Sequence, residues 1–295
     1  MHLTSIATEQ TTAATDALLA GVSLLAAARL WQHRSAAPLR IWLWMGVFSG
    51  LALAAGCGAL AHGLELDDLT RQWLWRPLNA ALGLTVACIV AAAVLDRWGS
   101  AAARRCLPWL LALSAGFFVF ATFVSEAFLA FIIYEGATML FCLAVYGTLS
   151  ARGCLPGAAW LFAGVLLSLA AAAIQTMHAI SFTLLLPFNS NGAFHLVQLV
   201  ALASFCGGLR GARVRSSGAA LSADGLRASA FQQGVPVPKA SAGLKVPVGM
   251  WMLGLLLTGA GCAAVQEHSL TYKLWDTQDL SKWSEPAGES ARSLA

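Results

Sequence analysis

Residues 40–62 read RIWLWMGVFSGLALAAGCGALAH, with no charged side chain between Arg40 and His62. A run of that length suits a helix crossing a hydrocarbon core roughly 30 Å thick. Gly46, Gly50, Ala54 and Gly58 recur at every fourth position and so fall along one helical face. Small residues at that spacing let helices pack closely, which predicts that this face, with His62 at its end, turns into a bundle.

Comparable apolar runs occupy residues 14–32, 74–95, 106–124, 127–149, 156–178 and 193–209. With 40–62 they predict an all-α integral membrane protein built as a seven-helix bundle over 1–210. Composition agrees: of 295 residues 58% are hydrophobic and only 11% charged, and the mean hydropathy is +0.70. Those values exclude an ordinary water-soluble enzyme. An outer-membrane barrel is excluded too, because the runs are continuous in Ala and Leu instead of alternating. The formal net charge of +4 is too small and scattered for a nucleic-acid partner. Seven cysteines, an odd number without a CxxC pair, read as small core residues. The first sixteen residues lack Lys and Arg, so they form no basic signal-peptide region and the first helix is expected to stay.

Beyond the bundle, residues 211–245 are rich in Ser, Ala, Gly and basic groups and read as a disordered cytoplasmic linker. An eighth hydrophobic segment covers 246–265, followed by a short polar outer tail at 266–295. Trp275 and Trp283 in that tail suit a partner protein or a membrane surface. Lys245, an apolar stretch and Cys262 follow a lipoprotein-like order, but Gly259 stands where a Leu would be usual, and a plain eighth span is expected.

Basic residues set the expected orientation, since Lys and Arg concentrate in cytoplasmic loops. One side carries Arg29, Arg34, Arg40, Arg97, Arg104, Arg105, Arg152, Arg210, Arg213 and Arg215; the other carries Arg71 and Arg76. The N-terminus is therefore expected outside. The Arg-rich, Lys-poor usage suggests a bacterial inner membrane.

That orientation gathers polar residues at the outer end. His62 and His178 end outward-running spans, and His195 follows Asn189 and Asn191 in the first turns of the seventh. Glu9 and Asp16, seven residues apart, share a face of the first helix, while Glu65, Asp67 and Asp68 follow His62. Three imidazoles and a water make an open catalytic zinc site, and Asp67, Asp68 or Asp16 would take the proton from that water. The plain alternative is that each histidine simply ends a helix. Glu135 lies about 12 Å inside the fifth span at 1.5 Å per residue, where an acid must face the interior, find a partner or stay protonated. Gln198 shares a face with His195, and with Gln175, Asn191 and Glu9 it is a candidate for surrounding the site or binding ligand.

Seven spans, a His at the outer end of the second, acids just after it and the phrase NSNGAFHLVQLVAL at 189–202 resemble the CREST membrane hydrolases, which include the alkaline ceramidases and the progestin and adipoQ receptors. The likeness covers residues 10–210. It implies a zinc-dependent hydrolase of lipid amides, with His62 and His195 as ligands and Asp67 or Asp68 in the acidic role. The sequence departs from that pattern in two places. Gly58 stands where a Ser is expected, and Asn191 replaces the first His of an HxxxH motif, so His178 would supply the third ligand. Hydrolysis of a membrane lipid amide or ester at the outer leaflet is thus the leading expectation. A b-type haem redox protein with two axial histidines and a non-enzymatic seven-span sensor or transporter are the alternatives.

Overall fold

A computed structural model describes residues 2–35, 38–123, 128–177 and 180–210. His178, the linker, the eighth segment with Cys262 and the polar tail all lie outside the described residues. Within them are seven helices long and apolar enough to cross a membrane, and the chain is an integral membrane protein. They are α1 (Ala7–Trp31), α2 (Pro38–Gly63), α3 (Asp68–Trp98), α4 (Ser100–Phe123), α5 (Phe128–Ala151), α6 (Ala158–Thr176) and α7 (Ser190–Arg210). Each expected span coincides with one of them.

Several helices begin earlier than hydropathy alone places them, and for two of them the side chains show why. The first turns of α1, ATEQTTAATD, are polar, yet their threonines satisfy themselves along the helix. The Thr11, Thr12 and Thr15 hydroxyls lie within donating distance of the Ala7, Thr8 and Thr11 carbonyls, at 3.0–3.1 Å. Such back-bonding removes hydroxyls from competition for other backbone groups. α3 starts at Asp68 because Asp67 caps it, accepting from the Thr70 amide at 2.9 Å and the Thr70 hydroxyl at 2.7 Å.

α1 packs on α2, α2 on α3, α3 on α4 and α5, and α5 on α6. α6 meets α7 through glycine. Gly157 has φ 84° and sits so close to the Gly208 backbone that a Cβ would collide with its carbonyl. Gly164 likewise leaves room for the Phe205 ring. Trp44 and Phe48 of α2, Tyr146 of α5 and Phe205 of α7 are among the most deeply buried side chains, and the Trp44 and Phe205 rings lie 5.4 Å apart. Large apolar side chains also point outward: Trp109 is 67% exposed and Leu140 59%. In a membrane those faces meet lipid, so their exposure is no liability.

Between α6 and α7 the chain makes one small departure from helix. β1 (Phe182–Thr183) pairs antiparallel with β2 (Pro187–Phe188), and the Phe182 and Phe188 rings stack at 5.2 Å. A second link near that end ties the chain start to α2: Leu3 bridges Leu64, and the Thr4 amide donates to the Gly63 carbonyl at 3.0 Å.

At the opposite end of the bundle, near the start of α2 and the end of α3, Arg40 and Asp96 form a bidentate pair. Nε reaches Oδ1 at 2.7 Å and Nη2 reaches Oδ2 at 3.0 Å. The Tyr146 hydroxyl donates to the same carboxylate at 3.3 Å.

Candidate functional site

The start of α1, the end of α2 and the start of α7 converge on a set of acids, imidazoles and amides. Asn189 organises its α7 side. Its Oδ1 accepts from the Gly192 amide at 2.9 Å, which makes it the N-cap of α7 and fixes where that helix begins. The same oxygen accepts from the Thr12 hydroxyl of α1 at 3.1 Å, and Nδ2 of Asn189 lies 3.5 Å from Oε1 of Glu9. A single amide therefore starts one helix and ties it to another.

Two carboxylate–imidazole pairs stand on either side of that tie. Glu9 Oε2 lies 2.6 Å from His62 Nδ1, a distance typical of a charge-assisted hydrogen bond. Both side chains are partly exposed. Asp16 Oδ1 lies 3.1 Å from His195 Nε2, and this second pair is buried. Asp16 and His195 feel the charge of His62, so the four groups form one electrostatic unit.

The His195 ring is engaged on both nitrogens, since the Thr15 hydroxyl meets Nδ1 at 3.0 Å. Where the Thr15 proton goes decides the rest. Thr15 lies 2.9 Å from the Thr12 carbonyl and 3.0 Å from that of Thr11, either of which can take its proton. The hydroxyl then accepts from Nδ1–H, and the Nε2–Asp16 contact needs either an imidazolium facing a carboxylate or a neutral imidazole accepting from a protonated Asp16. Should Thr15 instead donate to Nδ1, a neutral Nε2–H faces an ionised Asp16. The order Thr15, His195, Asp16 is that of a nucleophile, base and orienting acid. Thr15, however, is buried within α1 beside two carbonyls that compete for its proton.

Gly58 explains how Asp16 fits. A Cβ at position 58 would stand 2.6 Å from Asp16 Oδ2, so the rail of small residues on α2 opens a place for this carboxylate. The Ser that the resemblance leads one to expect at position 58 would collide with it.

The other expected site residues divide plainly. Asp67 and Asp68 are exposed, and the Asp67 carboxylate is committed to capping α3. The bonds from Thr70 hold its carboxyl below the ordinary carboxylate range. Glu135 lies apart from the acid–imidazole cluster and lines a cavity between α5 and α6. Gln198 is buried on α7 and faces a second small space beyond Glu135. Asn191 Oδ1 is buried with no hydrogen-bond partner among the described residues. Thr12, Thr15 and Asn189 complete the cluster and were not among the residues singled out as catalytic or ligating. For the two threonines the signal was present, since Thr12 and Thr15 lie between Glu9 and Asp16 on the same stretch of α1.

Among the described residues no three His, Cys, Asp or Glu side chains are arranged to share a metal ion. A ligating His195 would have to give up Thr15 or Asp16, and His178, the third imidazole of the expected set, lies outside the described residues. Residues 11–214 match the family of unknown function DUF6962, and the chain belongs to that family. The matched stretch contains Asp16, His62, Asn189 and His195. No curated protein and no solved structure matches the chain.

Proposed function

We propose that this DUF6962 member is a proton-responsive seven-span membrane protein, a sensor or carrier whose protonation site is the Glu9–His62 and Asp16–His195 cluster. The observation that carries the reading is the pairing of two acids with two imidazoles on three different helices. Imidazole is the side chain whose ordinary titration falls between about pH 5 and 8. The four groups are electrically neutral together when two protons are shared among them, and lose that neutrality when the protons leave. In a membrane interior an uncompensated charge is expensive, so proton loss favours an arrangement that separates α1 from α7 or admits water. With the N-terminus outside, in a bacterial inner membrane, the cluster faces the extracytoplasmic side and reads its pH.

The experiment is a pH-difference infrared spectrum of the protein in lipid bilayers, between about pH 8 and 5. A carboxyl band together with an amide I change is expected, both lost in the His62→Gln, His195→Gln double variant. A spectrum that is flat in the wild type, or unchanged in the double variant, overturns the reading.

A zinc-dependent hydrolase of a membrane lipid amide or ester is the second reading. One observation favours it: α1, α2 and α7 bring Asp16, His62 and His195 to one end of the bundle. It requires a third ligand, with His178 the candidate from the sequence. Elemental analysis of the detergent-solubilised protein decides it, because about one zinc per chain, lost in His62→Ala, is expected of such a centre. A visible absorption scan of the same sample checks for haem, which would likewise take an imidazole from Glu9 or Asp16.

A further inference from the structure

A second polar locus lies away from the acid–imidazole cluster. Between α5 and α6 is a cavity of about 220 Å³, walled by apolar side chains including Met139, Leu169 and Ala172. Glu135 of α5 and Ser168 and Thr176 of α6 are the polar side chains that line it. The Thr176 hydroxyl is already spent on the Ala173 carbonyl at 2.7 Å. Glu135, Met139 and Ser168 also line a smaller space of about 30 Å³, together with residues of α2, α3 and α7 that include Gln198. Glu135 thus lines both spaces.

Among the described residues neither the Glu135 nor the Ser168 side chain has a hydrogen-bond partner. Ser168 is 3% exposed, and its hydroxyl has no hydrogen-bond partner among the described residues. The Glu135 carboxyl receives no hydrogen bond or ion pair from the described residues, although its backbone carbonyl accepts from Thr138 at 2.8 Å. A buried polar group without a partner destabilises the fold unless something else supplies the bond. A carboxylate inside a membrane needs more than that, since it calls for a compensating positive charge or a proton.

We propose that the Glu135–Ser168 cavity binds a small lipophilic amine. A protonated amine supplies the missing charge to Glu135 and a hydrogen-bond donor to Ser168, and an apolar body fills the space beside Met139, Leu169 and Ala172. The volume sets the size of that body. An apolar cavity of about 150 Å³ holds a benzene ring, so 220 Å³ accommodates a ring with one short amine-bearing arm. A carboxylate ligand is repelled by Glu135, and an alcohol leaves the charge uncompensated. None of this depends on the protonation of Glu9, Asp16, His62 or His195, so failure of the infrared test leaves it standing.

The test is binding of benzylamine to the full-length protein in nanodiscs, read by calorimetry, with benzyl alcohol as the isosteric control. Saturable benzylamine binding, at least tenfold weaker in Glu135→Gln and in Ala172→Leu, with no saturable binding of benzyl alcohol, is the expected result. Glu135→Gln removes the charge while keeping the shape, and Ala172→Leu fills the cavity while keeping the charge. The proposal is overturned if wild-type protein shows no saturable benzylamine binding, if Glu135→Gln binds it as tightly as wild type, or if benzyl alcohol binds equally well.

Discussion

The two ends of this bundle solve the same electrostatic problem with different chemistry. At one end Asp96 is held by both arms of the Arg40 guanidinium and by the Tyr146 hydroxyl. At the other, Glu9 and Asp16 are each held by an imidazole. A guanidinium stays charged at every physiological pH, so the Arg40–Asp96 end is a fixed clamp. An imidazole ordinarily gains and loses its charge near neutrality and keeps one N–H donor when neutral, so at the Glu9–His62 and Asp16–His195 end the charge on the partner is not fixed. The comparison teaches that burying acids does not by itself make a switch. The partner's chemistry decides whether the contact is permanent.

The largest expected effect comes from breaking the fixed end. Asp96→Ala leaves Arg40 without its carboxylate and should destabilise the protein by about 3–5 kcal/mol, while a well-packed Arg40→Met, Asp96→Leu pair should recover most of the loss. Unfolding in mixed detergent micelles measures both, and a single variant as stable as wild type would show the clamp to be dispensable. Next is Gly58→Leu, which drives a side chain into the place of the Asp16 carboxylate. Overpacking of this kind should remove about 1–3 kcal/mol, and it should also abolish the infrared carboxyl change while leaving Arg40–Asp96 intact.

Thr12→Val sharpens the comparison at the level of one hydrogen bond. It takes a donor from the Asn189 Oδ1, which keeps the Gly192 amide, so a loss near about 1 kcal/mol is expected. The same unfolding measurement reports it, and an effect as large as that of Asp96→Ala would contradict the ranking. The smallest effect belongs to Asp67→Ala. The depressed pKa of Asp67 means that its ionised form stabilises the folded state. That contribution is present above the ordinary carboxylate range and lost as pH falls through the lowered value. Melting temperatures of Asp67→Ala and wild type should therefore differ slightly at neutral pH and converge in strong acid.

The fold was legible because spanning helices announce themselves by length. The run from Arg40 to His62 and its six counterparts need no tertiary information, since each must satisfy its backbone internally. The early start of α1 was hidden by the same criterion: hydropathy counts Thr11, Thr12 and Thr15 as polar, whereas in the helix their hydroxyls bond backward. Site residues were legible one at a time. His62, His195, Glu9 and Asp16 stand out as polar groups near span ends, yet which acid meets which imidazole depends on helix rotation, which spacing along separate helices does not encode. Asp67 and Asp68 looked close to His62 because they follow it in the chain, but an Asp just ahead of a helix caps it. Arg40 was read only as a loop charge, because its partner Asp96 comes from the far end of another span.

The contact between Asp16 and His195 also fixes an order of events in biosynthesis. Asp16 is in the first of the seven helices and His195 in the last, with Thr15 and His195 180 positions apart in the chain. Throughout translation of the intervening helices, the nascent first helix carries an acid whose imidazole has not yet been made. Asp16 gains this partner only when the seventh helix docks beside the first.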